Sequence, residues 1–91
     1  MNQKKAYQIA IDRDEGLCSL CGKKAVNVHH IIPAGLGGKR VHEPYNLICL
    51  CGECHIKAHQ SQDVKRECIE VSMRQYGGHI LALMAKKKRG F

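Results

Sequence analysis

Apolar residues in this chain come in short bursts, and their period changes along it. Near the N-terminus Tyr7, Ala10 and Ile11 fall at i, i+3 and i+4. That spacing predicts a short helix over about 3–15, with Gly16 as its stop. The stripe is narrow, so this helix is expected to lean on the metal-capable module that follows. Residues 25–32, AVNVHHII, are β-branched and apolar apart from Asn27 and two histidines. They read as a strand that Pro33 ends. Gly35, Gly37 and Gly38 open a loop that runs to Pro44. A second short strand is expected from Tyr45-Asn46 through Leu-Ile-Cys-Leu to Leu50. Helical spacing returns over 51–60. Ser61 is a fair N-cap for a further helix to about Tyr76, with Asp63 in its first turn. On it Val64, Cys68 and Val71 share one side, while Ile69, Met73 and Tyr76 share another. Gly77-Gly78 breaks that helix, and Ile80, Leu83 and Met84 carry a last stripe. The expected architecture is small α+β. It is one domain over 1–91, with a core at about 17–60, an N-terminal helix at about 3–15 and C-terminal helices at about 61–88.

A chain of 91 residues buries only a small apolar core and often needs a covalent or metal staple. Six cysteines are available. Cys18-x-x-Cys21 and Cys51-x-x-Cys54 are paired at knuckle spacing with histidines nearby, which reads as zinc rather than as a disulfide framework. A redox use of Cys-x-x-Cys asks for a thioredoxin-like βαβ context, and none is present. Cys49 sits where an apolar residue would suit and reads as core, with a ligand role through Cys49-x-Cys51 as the alternative. Cys68 has no partner spacing and reads as packing. The first residues, MNQKKAYQIAIDRDEG, contain no apolar leader segment, and no run approaches a membrane span. A reducing, cytoplasmic setting with free thiols is expected.

The formal charge of +7 and a pI near 9.3 make nucleic acid a candidate partner, although a merely basic surface would look the same. Lys39 and Arg40 follow the glycines of the loop at once. For the loop alone a plain connection with solvated charges is the simpler reading. Lys57 and the run Lys86-Lys87-Lys88-Arg89 are further candidates for phosphate contacts. His42 reads as a surface histidine.

Two ligand groups can be assembled. Cys18, Cys21, Cys51 and Cys54 would make a closed, structural zinc site. His55 and His59 are four apart on a helix and so share a face, one turn above each other. With His29 they could hold one divalent cation and leave positions open, as catalytic sites do. Adjacent residues on a strand point to opposite faces, so His30 stays out of that group. A neutral histidine there could take a proton from water.

The pattern His29-His30, Asn46, Cys51-x-x-Cys54-His55-x-x-x-His59 resembles the HNH endonucleases, over roughly residues 17–60. The Gly-Gly before Asn-Leu and the Leu-Cys-x-x-Cys-His sequence are also typical of that family. The resemblance implies a ββα-metal (His-Me finger) core with a four-cysteine zinc site and flanking helices. It implies His30 as the general base and Asn46 as the residue orienting it. It implies His29, His59 and, as in the His-rich members, His55 as ligands of a catalytic Mg²⁺, Mn²⁺, Ni²⁺ or Zn²⁺, and the four cysteines as ligands of structural zinc. The expected activity is weakly sequence-specific hydrolysis of DNA phosphodiesters, with a homodimer as one arrangement left open. A phage-borne nuclease, a restriction component or a DNA-processing accessory would all fit. The competing reading is a non-catalytic zinc-stabilised module that binds nucleic acid, although such a module has no need of His29, His30 and Asn46 together.

Overall fold

A computed structural model of the protein describes residues 2–33 and 40–89, with side chains as far as 86. Gly35, Gly37, Gly38 and Lys39, and the side chains of Lys87, Lys88 and Arg89, lie outside the described residues. The elements are helix α1 (Gln3–Asp14), strand β1 (Asn27–His30), a 3₁₀ turn (Pro44–Asn46), strand β2 (Leu47–Leu50), and helices α2 (Gly52–Gln60), α3 (Gln62–Tyr76) and α4 (His79–Arg89). This is the small α+β fold expected, and β1, β2 and α2 form its ββα unit. No helix of the described residues is long and apolar enough to cross a membrane.

The two strands pair antiparallel, with Asn27 opposite Leu50, Val28 opposite Cys49, His29 opposite Ile48 and His30 opposite Leu47. Every residue of β2 is buried. A strand covered on both faces needs no polar alternation, which explains the unbroken Leu-Ile-Cys-Leu run. Leu47 and Cys49 face Ala6 and Ala10 of α1. Ile48 and Leu50 face the opposite way, into a cluster with Cys18, Cys51, Ala58, Cys68 and Val71. The sheet is thus the middle layer between α1 and the cysteine-bearing side.

Helix α1 departs from expectation in its contact. It rests on the strand face remote from the cysteine knuckles, not on them. Its buried positions are Ala6 and Ala10, while Ile11 is 40% exposed. Two alanines let the helix lie close to the strand, with Tyr7 packed at the edge of the same cluster and Ile11 turned outward. Asn2 caps it by accepting from the Lys5 N–H at 2.8 Å. At its other end half-buried Arg13 donates to the carbonyls of Pro44 and Leu47, both at 2.9 Å, and to the Tyr76 hydroxyl at 3.2 Å. It also pairs with Asp14 at 2.7 Å, and Asp14 in turn accepts from the Cys49 N–H. One guanidinium therefore joins α1, the 3₁₀ turn, β2 and α3.

Ser61 caps α3 as expected, accepting from the Val64 N–H at 3.3 Å. Cys68 and Val71 are buried against the knuckle side, and Ser72 donates to the Tyr45 carbonyl. Gly77 has φ 73°, a left-handed value that glycine adopts without strain, and it ends α3. Helix α4 then turns back, burying Ile80 and Leu83. The second strand begins later than expected, because Tyr45 and Asn46 close the 3₁₀ turn instead of opening the ladder.

Candidate metal and active centre

The first knuckle is a tight loop. Leu17 bridges Lys24, and Cys18 N–H donates to the Lys23 carbonyl at 2.6 Å. Gly22 (φ 80°) lets the chain double back so that its N–H reaches the Cys18 carbonyl at 2.9 Å. Ser19 N–H donates to the Cys49 carbonyl at 2.9 Å and ties the knuckle to β2. The second knuckle starts α2. Cys51 is its N-cap, with Sγ accepting from the Cys54 N–H at 3.4 Å. The sulfurs of Cys18, Cys21, Cys51 and Cys54 all lie within 4.8 Å of one another, and Cys21 and Cys51 are 3.6 Å apart. Zinc–sulfur bonds of about 2.3 Å in a tetrahedron separate sulfurs by about 3.8 Å. The four cysteines could therefore hold one zinc ion. Burial pushes the Cys18 thiol up, but the backbone N–H groups of Cys51, Cys21 and Leu20 outweigh it and bring it down to about 6. Burial raises the Cys54 thiol, so the four do not share one direction. Burial holds the Cys49 and Cys68 thiols up at about 11. Cys49 donates to the Ala10 carbonyl on the far side of the sheet, so it is core and not a fifth ligand.

The histidines separate as strand geometry requires. His29 projects to the α2 side, where its ring lies 5.1 Å from that of His55 and 5.2 Å from that of His59. His55 and His59 bring their Nε2 atoms to 3.1 Å. The three imidazoles offer one nitrogen each within 4.8 Å, a donor set that suits a borderline divalent cation. Burial, followed by His55 and His59, lowers His29 to about 4, which keeps its lone pair available for an ion. His30 projects to the α1 side, its ring 5.8 Å from that of Tyr7. Burial and then Arg40 and His42 lower its pKa. The rings on both faces open into one cavity of about 660 Å³ that wraps round β1, with Tyr7, Arg40 and Lys65 also along its walls.

Asn46 is fully buried beneath this arrangement. Its Oδ1 accepts from the Ile32 N–H at 2.8 Å, and its Nδ2 donates to the carbonyls of Ile32 and Val41 at 3.2 and 3.1 Å. One amide thus clasps both ends of the segment between β1 and the 3₁₀ turn.

His42 is not the surface residue the sequence implied. It is half-buried, and its Nδ1 lies 3.1 Å from Nε2 of His30. Lys65 and Tyr7 are likewise at the cavity without any spacing signal that would have placed them there. Of the basic residues singled out, Arg40 lines the cavity. Lys57 is exposed on α2 and paired with Glu53 at 3.2 Å, and Lys86 is exposed on α4.

The lowered His29 value has a consequence for protein that holds structural zinc but no second cation. Above pH ~6.5 the ring is neutral folded or unfolded. As pH falls below that, the unfolded chain binds a proton that the folded chain refuses until about 4. Stability should therefore fall between these values, and a His29→Asn variant should lose part of that slope. Urea melts of both proteins at pH 7, 6 and 5 read this directly, and parallel slopes would contradict it.

The sequence model of the family described as HNH endonuclease matches residues 18–61. The type IV methyl-directed restriction enzyme EcoKMcrA of Escherichia coli (strain K12) is 34% identical over 71 residues, covering 67% of this chain. The chain spans 24% of that enzyme's length.

Proposed function

The chain belongs to the HNH endonuclease family through residues 18–61, and from that premise we propose that it hydrolyses DNA phosphodiester bonds with one divalent cation and His30 as general base. The observation that carries this reading is the division of the paired histidines. His29 joins His55 and His59, while His30 stands outside that group yet faces the same cavity. The description of the relative as a restriction enzyme supports DNA as substrate. Its methyl direction is not carried over, because most of that enzyme lies outside the match.

In the proposed reaction His30 takes a proton from water. The water oxygen forms a new bond to phosphorus, and the sugar oxygen opposite leaves and is protonated by solvent. His29, His55 and His59 would hold Mg²⁺, Mn²⁺, Ni²⁺ or Zn²⁺, which when bound stabilises negative charge on the phosphate and leaving oxygen. Three imidazoles favour Ni²⁺ or Zn²⁺ over Mg²⁺, which prefers oxygen ligands. Arg40 and Lys65 would receive phosphate oxygens, and Lys86 would add backbone contacts farther out. Lys39 and Lys87–Arg89 belong to the same proposal on their sequence positions alone. Contacts to phosphate carry no sequence information, so cleavage is weakly specific and falls with salt.

The experiment is plasmid cleavage by zinc-loaded protein across the four cations. Cleavage that chelation removes and cation restores is expected. Intact plasmid in every cation, from folded protein with its zinc, would instead leave a zinc-stabilised nucleic-acid-binding module.

A further inference from the structure

The His30–His42 contact is used by nothing described so far. Nε2 of His30 and Nδ1 of His42 are 3.1 Å apart, and the rings meet at 64° with centroids 5.2 Å apart. Tyr7 packs against both rings, at 5.8 and 6.5 Å. The residue before His42 is held in place, because Asn46 donates to the Val41 carbonyl at 3.1 Å. The pair is therefore fixed from two directions, by an aromatic ring of α1 and by the buried amide.

A hydrogen bond between two neutral imidazoles uses one N–H and one lone pair. If His42 donates, the remaining proton of His30 must sit on Nδ1, and that ring has no lone pair left to act as a base. If His30 donates from Nε2, its Nδ1 carries a lone pair. When Nδ1 then takes a proton, the Nε2–H bond to His42 becomes charge-assisted and stronger. We propose that His42 is a positioning residue for His30, accepting from Nε2–H and so holding the ring in the tautomer that bares Nδ1. This rests on the nuclease reading above. A cation held by the pair is the rival explanation for two nitrogens at this distance, yet among the described residues no third ligand atom gathers there.

The test compares the full chain with His42→Ala, His42→Asn, His30→Ala and the His30→Ala/His42→Ala double variant on a defined DNA duplex. His42→Ala should lower kcat about 10- to 100-fold, as loss of an orienting partner does, with KM unchanged. His42→Asn, whose Oδ1 can accept in place of Nδ1, should recover most of that loss. In the His30→Ala background the second substitution should add nothing. Metal content should be the same in all four variants. Nitrogen NMR of the zinc-loaded parent should show His30 protonated at Nε2. An unchanged kcat, an Asn variant no better than Ala, a lost equivalent of metal, or a proton on Nδ1 each overturns the proposal. A parent that fails to cut DNA defeats the nuclease reading instead, and the ring tautomer still decides the pairing.

Discussion

A Cys51→Ser variant should fail to fold. The four thiols join parts of the chain 30 residues apart and sit against the apolar cluster of Ile48, Leu50, Cys68 and Val71. Zinc bound to such a site contributes roughly 10–16 kcal/mol in small zinc-dependent folds. A domain of this size has a net stability of only about 5–15 kcal/mol. Losing one of four ligands therefore removes an amount comparable with the whole. Cys51 is the most severe choice, because its sulfur also caps α2 and so fixes the turn that presents His55. The measurement is far-UV circular dichroism and zinc stoichiometry, with Cys68→Ala as comparator. Cys68 is buried but outside the ligand group, so that variant should keep its zinc and lose only about 1–2 kcal/mol. A Cys51→Ser protein that binds zinc stoichiometrically and melts with the parent would refute the staple.

The second large effect is on chemistry alone. His30→Ala should reduce cleavage by about 10²- to 10⁴-fold, the range a positioned general base contributes. Fold, zinc and second-site cation should all be retained, since His30 lies outside both ligand groups. His59→Ala provides the contrast. It removes a proposed ligand, so its defect should shrink as cation concentration rises, whereas the His30→Ala defect should not. Parent-level cutting by His30→Ala would transfer the base role to another group.

Which of these features could be read from the sequence follows from how local their causes are. The juxtaposition of Cys18, Cys21, Cys51 and Cys54 was legible, since a single ion constrains ligand spacing within each knuckle. The His55–His59 pair was legible because one helical turn separates them. The opposite facing of His29 and His30 followed from strand geometry. The surroundings of α1 were not legible. Alanine gives a weak apolar signal, so Ala6 went unmarked while the stripe through Tyr7 and Ala10 was carried on to Ile11, which is exposed. A charged residue such as Arg13 reads as solvated until four elements are seen to converge on it. His42, Tyr7 and Lys65 come from three separate regions, and only the tertiary arrangement brings Tyr7 and Lys65 to the cavity and His42 against His30. His42 is the sharpest case, because its place depends on an amide four residues later closing the turn beneath it.

That amide clasp has an evolutionary corollary. Asn46 grips Ile32 on one side and Val41 on the other, so the stretch spanning them is fastened at its base whatever its content. Insertions or deletions there need not propagate into the cluster of imidazoles on β1 and α2.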